Sequence, residues 1–381
     1  MTGRRSDVAA GAILVALAVA LTWSPWRSGP PQWKPDALFY QAQVEEVRGL
    51  GHDAALRKVF GGPLAAPRRA REAGLPASER KVTSEEWVSY SSQFYRRRWT
   101  VPAAAAGLTP LVGDRALPSV SLAAYALAGL LVFLLLRLRF DRRLSFAVAA
   151  LVLVLPALRY WSAQPLSDSG GVAALTAAMI AAVLVLDRGL RWLALWLAAV
   201  VALAFTRDAT LIVVAATAWV ALRWRSREAL CLVGVGLLGA VPPFLAFGAP
   251  LQQALAYTLG GFDVPQDTSW SGIADAYPSA LKTLIRNDFD YLVAHPGTFA
   301  LVLAGVAGLV IGRAQRDPYV TLARATLVCA GAYALLLPNY TAMRLELVFA
   351  PPLAVGLACL GAALVTRLRR PATAAAKVNA S

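Results

Sequence analysis

The sequence predicts an all-α integral membrane protein with about ten transmembrane helices and a large first outer loop carrying short amphipathic helices. Three observations predict it. Of 381 residues, 58% are hydrophobic and only 15% are charged, whereas soluble domains run nearer half apolar and a quarter charged. The apolar residues form long unbroken blocks instead of the one-sided stripe of a soluble amphipathic helix. Short cationic clusters separate those blocks, and their placement sorts them to one side of a membrane. A chain of two or three soluble domains, the ordinary expectation at this length, is therefore excluded.

The first block, residues 8–23 with "AAGAILVALAVALTW" at its heart, follows Arg4 and Arg5. A cleaved signal peptide competes with this reading. No small-x-small cleavage site precedes the proline-rich "SPWRSGPPQWKP", so a retained anchor is expected. Further blocks run over 115–137, 144–160, 169–187, 191–206, 208–223, 229–248, 298–312, 319–337 and 344–366. With the N-terminus inside, "RLRFDRR" (137–143), "DRGLR" (187–191), "RWRSRE" (223–228), "GRAQRD" (312–317) and "RLRR" (367–370) all fall on the cytoplasmic side. The opposite orientation would translocate every one of them. The short outer turns are then "WSAQPLSD" (161–168), "TRD" (206–208) and "PNYTAMR" (338–344).

Two outer segments are long, 24–114 and 249–297, and long loops escape the charge rule. Within the first, 36–50 and 84–96 read as short amphipathic helices, and "GGPLAAPRRAREAGLPASER" (61–80) as a connector. "TVPAAAAGLTPLVGD" (100–114) is apolar but broken by Pro102 and Pro110. It reads as a helix lying at the interface, because a span there would invert every later loop. The expected organisation is an anchor (1–23), an outer loop (24–114), helices 2–7 (115–248), a second outer loop (249–297), helices 8–10 (298–366) and a cytoplasmic tail (367–381). No repeat of 20–50 residues is visible.

The net charge of +15 rests on 32 arginines and 5 lysines. The arginine bias with abundant Ala, Leu and Val points to a GC-rich bacterial genome, hence a bacterial plasma membrane. No zinc-type spacing, RNA-binding signature or basic helix supports a nucleic-acid partner. Cys231, Cys329 and Cys359 are scattered through apolar runs and form neither a disulfide framework nor a metal site. His52 and His295, the only histidines, lack ligand spacing, and "NYT" at 339–341 matches a glycosylation pattern of the kind that arises by chance.

The residues themselves offer candidates. Asp36 follows Pro35 just beyond the first span and reads either as a helix N-cap or as a general base. Tyr40 and Gln43 share its helical face and could bind hydroxyls or stack on a ring beside it. Arg96, Arg97 and Arg98 stand where the chain returns to the membrane, with guanidinium forks suited to phosphate or to lipid headgroups. Asp168 heads the 169–187 helix, again as a cap or as an acid orienting an acceptor or a divalent cation. Arg207 and Asp208 share the third outer turn, where they are expected to pair; Arg207 is also a candidate substrate ligand. Arg344 and Glu346 open the last span, and ionisable groups at that depth face a protein interior or a cavity.

The order of these parts resembles the multi-pass GT-C glycosyltransferases, particularly the protein O-mannosyltransferase and lipid A aminoarabinose transferase type. The resemblance rests on the acid after the first helix and on "FYRRRWTVPAAAAGLTPLVGDRALPSVSLAAYALAGLLVFLLLR". It continues in "LVLPALRYWSAQPLSDSGGVAALTAAMIAAVLVL", "ALAFTRDATLIVVAA" and "MRLELVFAPPLAVGLA", so it spans roughly residues 8–366. Many members carry two adjacent acids in the first loop, whereas here Asp36 is followed by Ala37. The resemblance implies inverting transfer of a sugar from a polyprenyl-phosphate donor to a glycan, lipid or protein acceptor at the outer face. It also implies Asp36 as base, Arg344 as phosphate ligand, and contact with membrane lipids. A divalent cation is the candidate cofactor. A transporter or lipid-carrier flippase, and a non-catalytic envelope scaffold, are the competing readings; the first predicts paired halves and mid-span charges.

Overall fold

The computed structural model describes residues 2–27, 33–76, 79–311, 317–338 and 343–369, and among them there is no strand. Helix α1 (Thr2–Arg27) carries the first apolar block. The expected outer segment folds as α2 (Pro35–Val47), α3 (His52–Gly61), α4 (Ala66–Glu72), α5 (Glu85–Ser92) and α6 (Thr100–Val112). Then come α7 (Ala116–Arg137), α8 (Arg142–Leu153), α9 (Pro156–Ser162), α10 (Asp168–Arg188), α11 (Leu193–Ala204), α12 (Thr210–Trp224) and α13 (Arg227–Phe247). The expected second outer segment is α14 (Leu251–Leu259) and α15 (Trp270–Ala294), followed by α16 (Pro296–Ile311), α17 (Pro318–Leu336) and α18 (Ala350–Arg369).

Every expected apolar block falls largely on helix, though 144–160 is divided between two. By length and composition five stretches can cross a membrane, or seven if the bent pairs α8–α9 and α15–α16 each count once; α1, α11 and α12 are shorter apolar helices. This is the helix set of a multi-pass membrane protein. Residues 100–137 pass the same test as one 38-residue stretch, which would be far longer than a bilayer is thick. They are two helices. Gly113 adopts φ +58°, and α6 lies against both α7 and α2. Leu108, Leu111 and Val112 on α6 are left exposed.

Two expectations are corrected. The block 144–160 is broken into α8 and α9, which meet at 63°. Pro156 lacks an N–H and pushes Leu155 out of the helical region, to ψ 123°. The connector 61–80 is partly helical, because Pro63 and Pro67 sit at the starts of a 3-10 turn and of α4. Glu72 at the end of α4 is buried and accepts from the Lys81 and Thr83 amides and from Arg68.

Small residues let the apolar helices approach closely, as expected where no hydrophobic force separates helix from lipid. A Cβ on Gly308 of α16 would collide with the Gly356 carbonyl of α18, and one on Gly129 of α7 with Leu153 of α8. The ion pairs sort to two ends of the bundle. Arg137 pairs with Asp7, and Arg139 with Asp187 and Asp317, gathering the expected inner loops. Asp36, Arg98, Asp168, Arg207, Asp208 and Arg344 gather at the other end. Ser78, the 312–316 loop, the 339–341 triplet and the Glu346 side chain lie outside the described residues.

Candidate functional site

Asp36 is not the N-cap of α2. That position is Lys34, which makes no side-chain capping bond, and Pro35 presets the first helical turn. The carboxylate is therefore free to leave the helix, and its Oδ2 lies 2.7 Å from Arg344 Nη2. Asp168 is not a cap either: Ser167 precedes α10 as cap residue without a side-chain bond. The Asp168 side chain is fully buried and accepts from Arg207 Nη2 at 2.8 Å and Arg344 Nε at 3.0 Å on Oδ1. Its Oδ2 accepts from Arg344 Nη2 at 3.3 Å. Arg344 thus bridges acids delivered by two separate helices.

The turn that delivers Arg344 is held firmly. Met343 adopts φ +54°, a conformation side chains rarely take, and its amide donates to Asp288 of α15 at 2.9 Å. The guanidinium lies 4.8 Å from the Trp161 ring of α9, and the Lys34 ammonium lies 4.3 Å from the same ring.

Arg207 and Asp208 do not pair with each other, because adjacent residues on a turn project apart. Arg207 turns to Asp168, while Asp208 pairs with Arg97 and, at 2.7 Å, with Arg98. Arg98 also donates to the Tyr40 hydroxyl at 3.1 Å, which in turn lies 2.7 Å from Ser167 Oγ. Arg98 Nε is buried without a partner. Four guanidinium groups thus meet three carboxylates, leaving one positive charge in excess.

These groups edge a cavity of about 190 Å³. Asp36, Arg97, Arg98, Arg207 and Arg344 form its polar wall, Phe94, Tyr95 and Tyr257 an aromatic one, and Leu211, Phe244, Phe247 and Leu251 an apolar one. Leu211, Phe247 and Leu251 are exposed. Arg97 stacks 4.9 Å over Phe244, joining the charged wall to the apolar one.

Of the residues expected to bind substrate, Tyr40, Gln43, Arg96 and Asp168 do not line this cavity. Tyr40 is fully buried behind Arg98. Gln43 donates to the Tyr95 carbonyl at 2.5 Å. Arg96 is exposed and borders a void of only about 10 Å³ beside His52. His52 bonds Glu46 at 2.8 Å and lies 3.3 Å from Ser92 Oγ, tying α2 to α5 in a space too small for a ligand. Sequence reasoning missed Tyr95, Trp161, Phe244 and Tyr257. Only Tyr95 carried a local signal, standing directly before the arginine run.

Burial pushes the Asp36 carboxyl up, but the Arg344 charge, a hydrogen bond from the Tyr95 hydroxyl and the nearby Arg98 outweigh it, holding the group below its ordinary value of 3.8. Burial and the Asp36 charge push the Tyr95 phenol well up, so it stays a neutral donor. Burial and Arg98 bring Arg97 down to about 10, which still leaves it charged at neutral pH. A divalent cation does not suit this donor set. Guanidinium groups already hold Asp36 Oδ2 and both Asp168 oxygens, and among the described residues no three His, Cys, Asp or Glu side chains cluster as metal ligands. No protein-family model matches the chain, and no curated protein matches it.

Proposed function

We propose that the chain transfers a sugar from a polyprenyl-phosphate carrier to a cell-envelope acceptor at the outer face of a bacterial plasma membrane. The observation that carries this reading is the cavity itself: a carboxylate beside an excess of guanidinium charge on one wall, and exposed apolar side chains on the other. Such a site is complementary to an anionic headgroup on an apolar chain. In this reading α1, α7, α8–α9, the four helices α10 to α13, α16, α17 and α18 make ten crossings. Both termini are cytoplasmic, and residues 24–114 lie outside. The two-ended sorting of ion pairs and the cationic loops support that arrangement.

The donor phosphate takes donors from Arg344 and its neighbours. Once Arg344 turns to the phosphate, Asp36 loses its ion pair and becomes the more basic group. Asp36 then accepts the proton of an acceptor hydroxyl as that oxygen attacks C1. The C1–O bond to phosphate breaks, and polyprenyl phosphate departs with the electron pair, its charge met by the arginines. One carboxylate suffices for inversion, since the phosphate leaves without protonation. A transporter would place ionisable groups mid-span; here the ion pairs gather at the two ends of the bundle, which favours transfer. Purified protein incubated with a panel of polyprenyl-phosphate sugars should release free polyprenyl phosphate from one of them. Release from none would overturn the reading.

A further inference from the structure

Helix α15 packs along only part of its circumference. Ile273 and Ala280 are buried with Ala256 and Leu259 of α14, and the Tyr277 hydroxyl donates to the Leu335 carbonyl of α17 at 2.7 Å. The rest of the helix is open, and at 3.6 residues per turn that open face divides lengthwise. The half-buried Leu281 and the exposed Ile285 and Phe289 follow one flank, Ile285 being 57% and Phe289 63% exposed. Ser279, Arg286 and Asp290 follow the other, where Arg286 and Asp290 form an exposed pair at 3.7 Å. Exposed large apolar side chains gathered in one row mark a contact surface. Two observations say what covers this one. Helix α15 meets the apolar helix α16 at 108°, and a helix at that angle to a crossing helix runs along the membrane surface. The exposed apolar side chains also continue across the bend, from Val293 of α15 to Phe299, Leu303 and Val310 of α16.

At the packed edge of the apolar flank stands Asp288, whose carboxylate accepts from the Met343 amide at 2.9 Å. Met343 sits at φ +54°, a conformation that needs holding, and Arg344 follows it directly. We propose that the outer leaflet carries the apolar flank of α15 and that this seat, acting through Asp288, fixes the turn that presents Arg344. Asp288 is then a positioning residue, acting through the Met343 backbone. The partner is the boundary between headgroups and hydrocarbon, with no preference for lipid charge, because α15 carries two cations, Lys282 and Arg286, against three acids, Asp275, Asp288 and Asp290. The consequence for phosphate binding rests on the transfer reading above; the seat and the Asp288 tie do not.

The test uses the full chain, freed of Cys231, Cys329 and Cys359, in phosphatidylcholine nanodiscs. A spin label at Phe289→Cys should be relaxed by oxygen in preference to a water-soluble nickel chelate, and one at Asp290→Cys the reverse. Equal accessibility at the two positions overturns the seat. Amide hydrogen exchange reads the tie. The peptide holding Met343 should be protected in wild type and in Asp288→Asn, whose Oδ1 still accepts. Protection should be lost in Asp288→Ala and in Ile285→Glu/Phe289→Glu, which alters only exposed side chains. Retained protection in Asp288→Ala overturns the tie, and retained protection in the double variant overturns the coupling of seat to turn. Polyprenyl phosphate, the probe for the phosphate site, should bind roughly tenfold more weakly to Asp288→Ala and normally to Asp288→Asn. Lost protection with unchanged affinity overturns Arg344 as the phosphate ligand and leaves the seat of α15 standing.

Discussion

Asp36 on the first turn of α2 and Arg344 ahead of α18 form a 2.7 Å ion pair, with Asp168 gripping the same guanidinium from behind. The pair holds the proposed base and the proposed phosphate ligand together until an anion separates them. In the proposed reading, a donor that supplies its own anion activates the site on arrival.

Replacing Asp36 by Asn preserves shape and removes the proton acceptor. Because Lys34 and not Asp36 occupies the cap position, the helix should lose nothing by the change. Turnover is expected to fall by about 10²–10⁴ while expression and donor binding persist. Full transfer activity in the purified variant would end the catalytic role of Asp36.

The pH profile follows from the direction of the Asp36 shift. A depressed carboxyl stays ionised as pH falls, so its contribution is present above the ordinary value of 3.8 and disappears only as pH drops below it. The free-enzyme kcat/KM should therefore show no acid limb from Asp36 between pH 5 and 7, a window well above ordinary carboxylate values of about 4. An acid limb centred near neutrality that vanishes in Asp36→Asn would contradict a resting pair with Arg344.

Arg344→Ala should weaken binding of the lipid donor by about ten- to a hundredfold, the loss of one charge-assisted hydrogen bond of about 1.5–3 kcal/mol. It also leaves buried Asp168 with Arg207 alone, so stability should fall as well, by up to about 3–5 kcal/mol. Arg344→Lys keeps the charge and separates the two effects. Stability largely restored with donor affinity still reduced is the expected result, read by thermal shift and by binding of a non-hydrolysable donor. Unchanged donor affinity in both variants would remove Arg344 from the phosphate site.

Sidedness can be read with single cysteines in a background lacking Cys231, Cys329 and Cys359. In intact cells a membrane-impermeant thiol reagent should label Ser78→Cys in the outer loop and spare Ser226→Cys, at the cap of α13. Labelling at Ser226→Cys alone would reverse the topology.

Much of the helix set was legible because long apolar blocks have few alternatives to helix in lipid, and because loop charge is a local property that needs no neighbours. Asp36 and Arg344 could be nominated for the same reason, as ionisable residues at the ends of apolar blocks. Their partners could not. Asp36 and Asp168 each looked like a cap, since Asp beside a helix start is a cap by default, and Arg207 beside Asp208 looked like a pair. What redirected all four was the packing of α2, α10 and the Arg344 turn into one corner, where burial makes each unpaired charge costly and forces the available acids and guanidiniums onto one another. The break at Pro156 was written in the sequence. The bond from Met343 to Asp288, which ties the Arg344 turn to α15, was not, because a contact between distant segments depends on distances that no single stretch of chain contains.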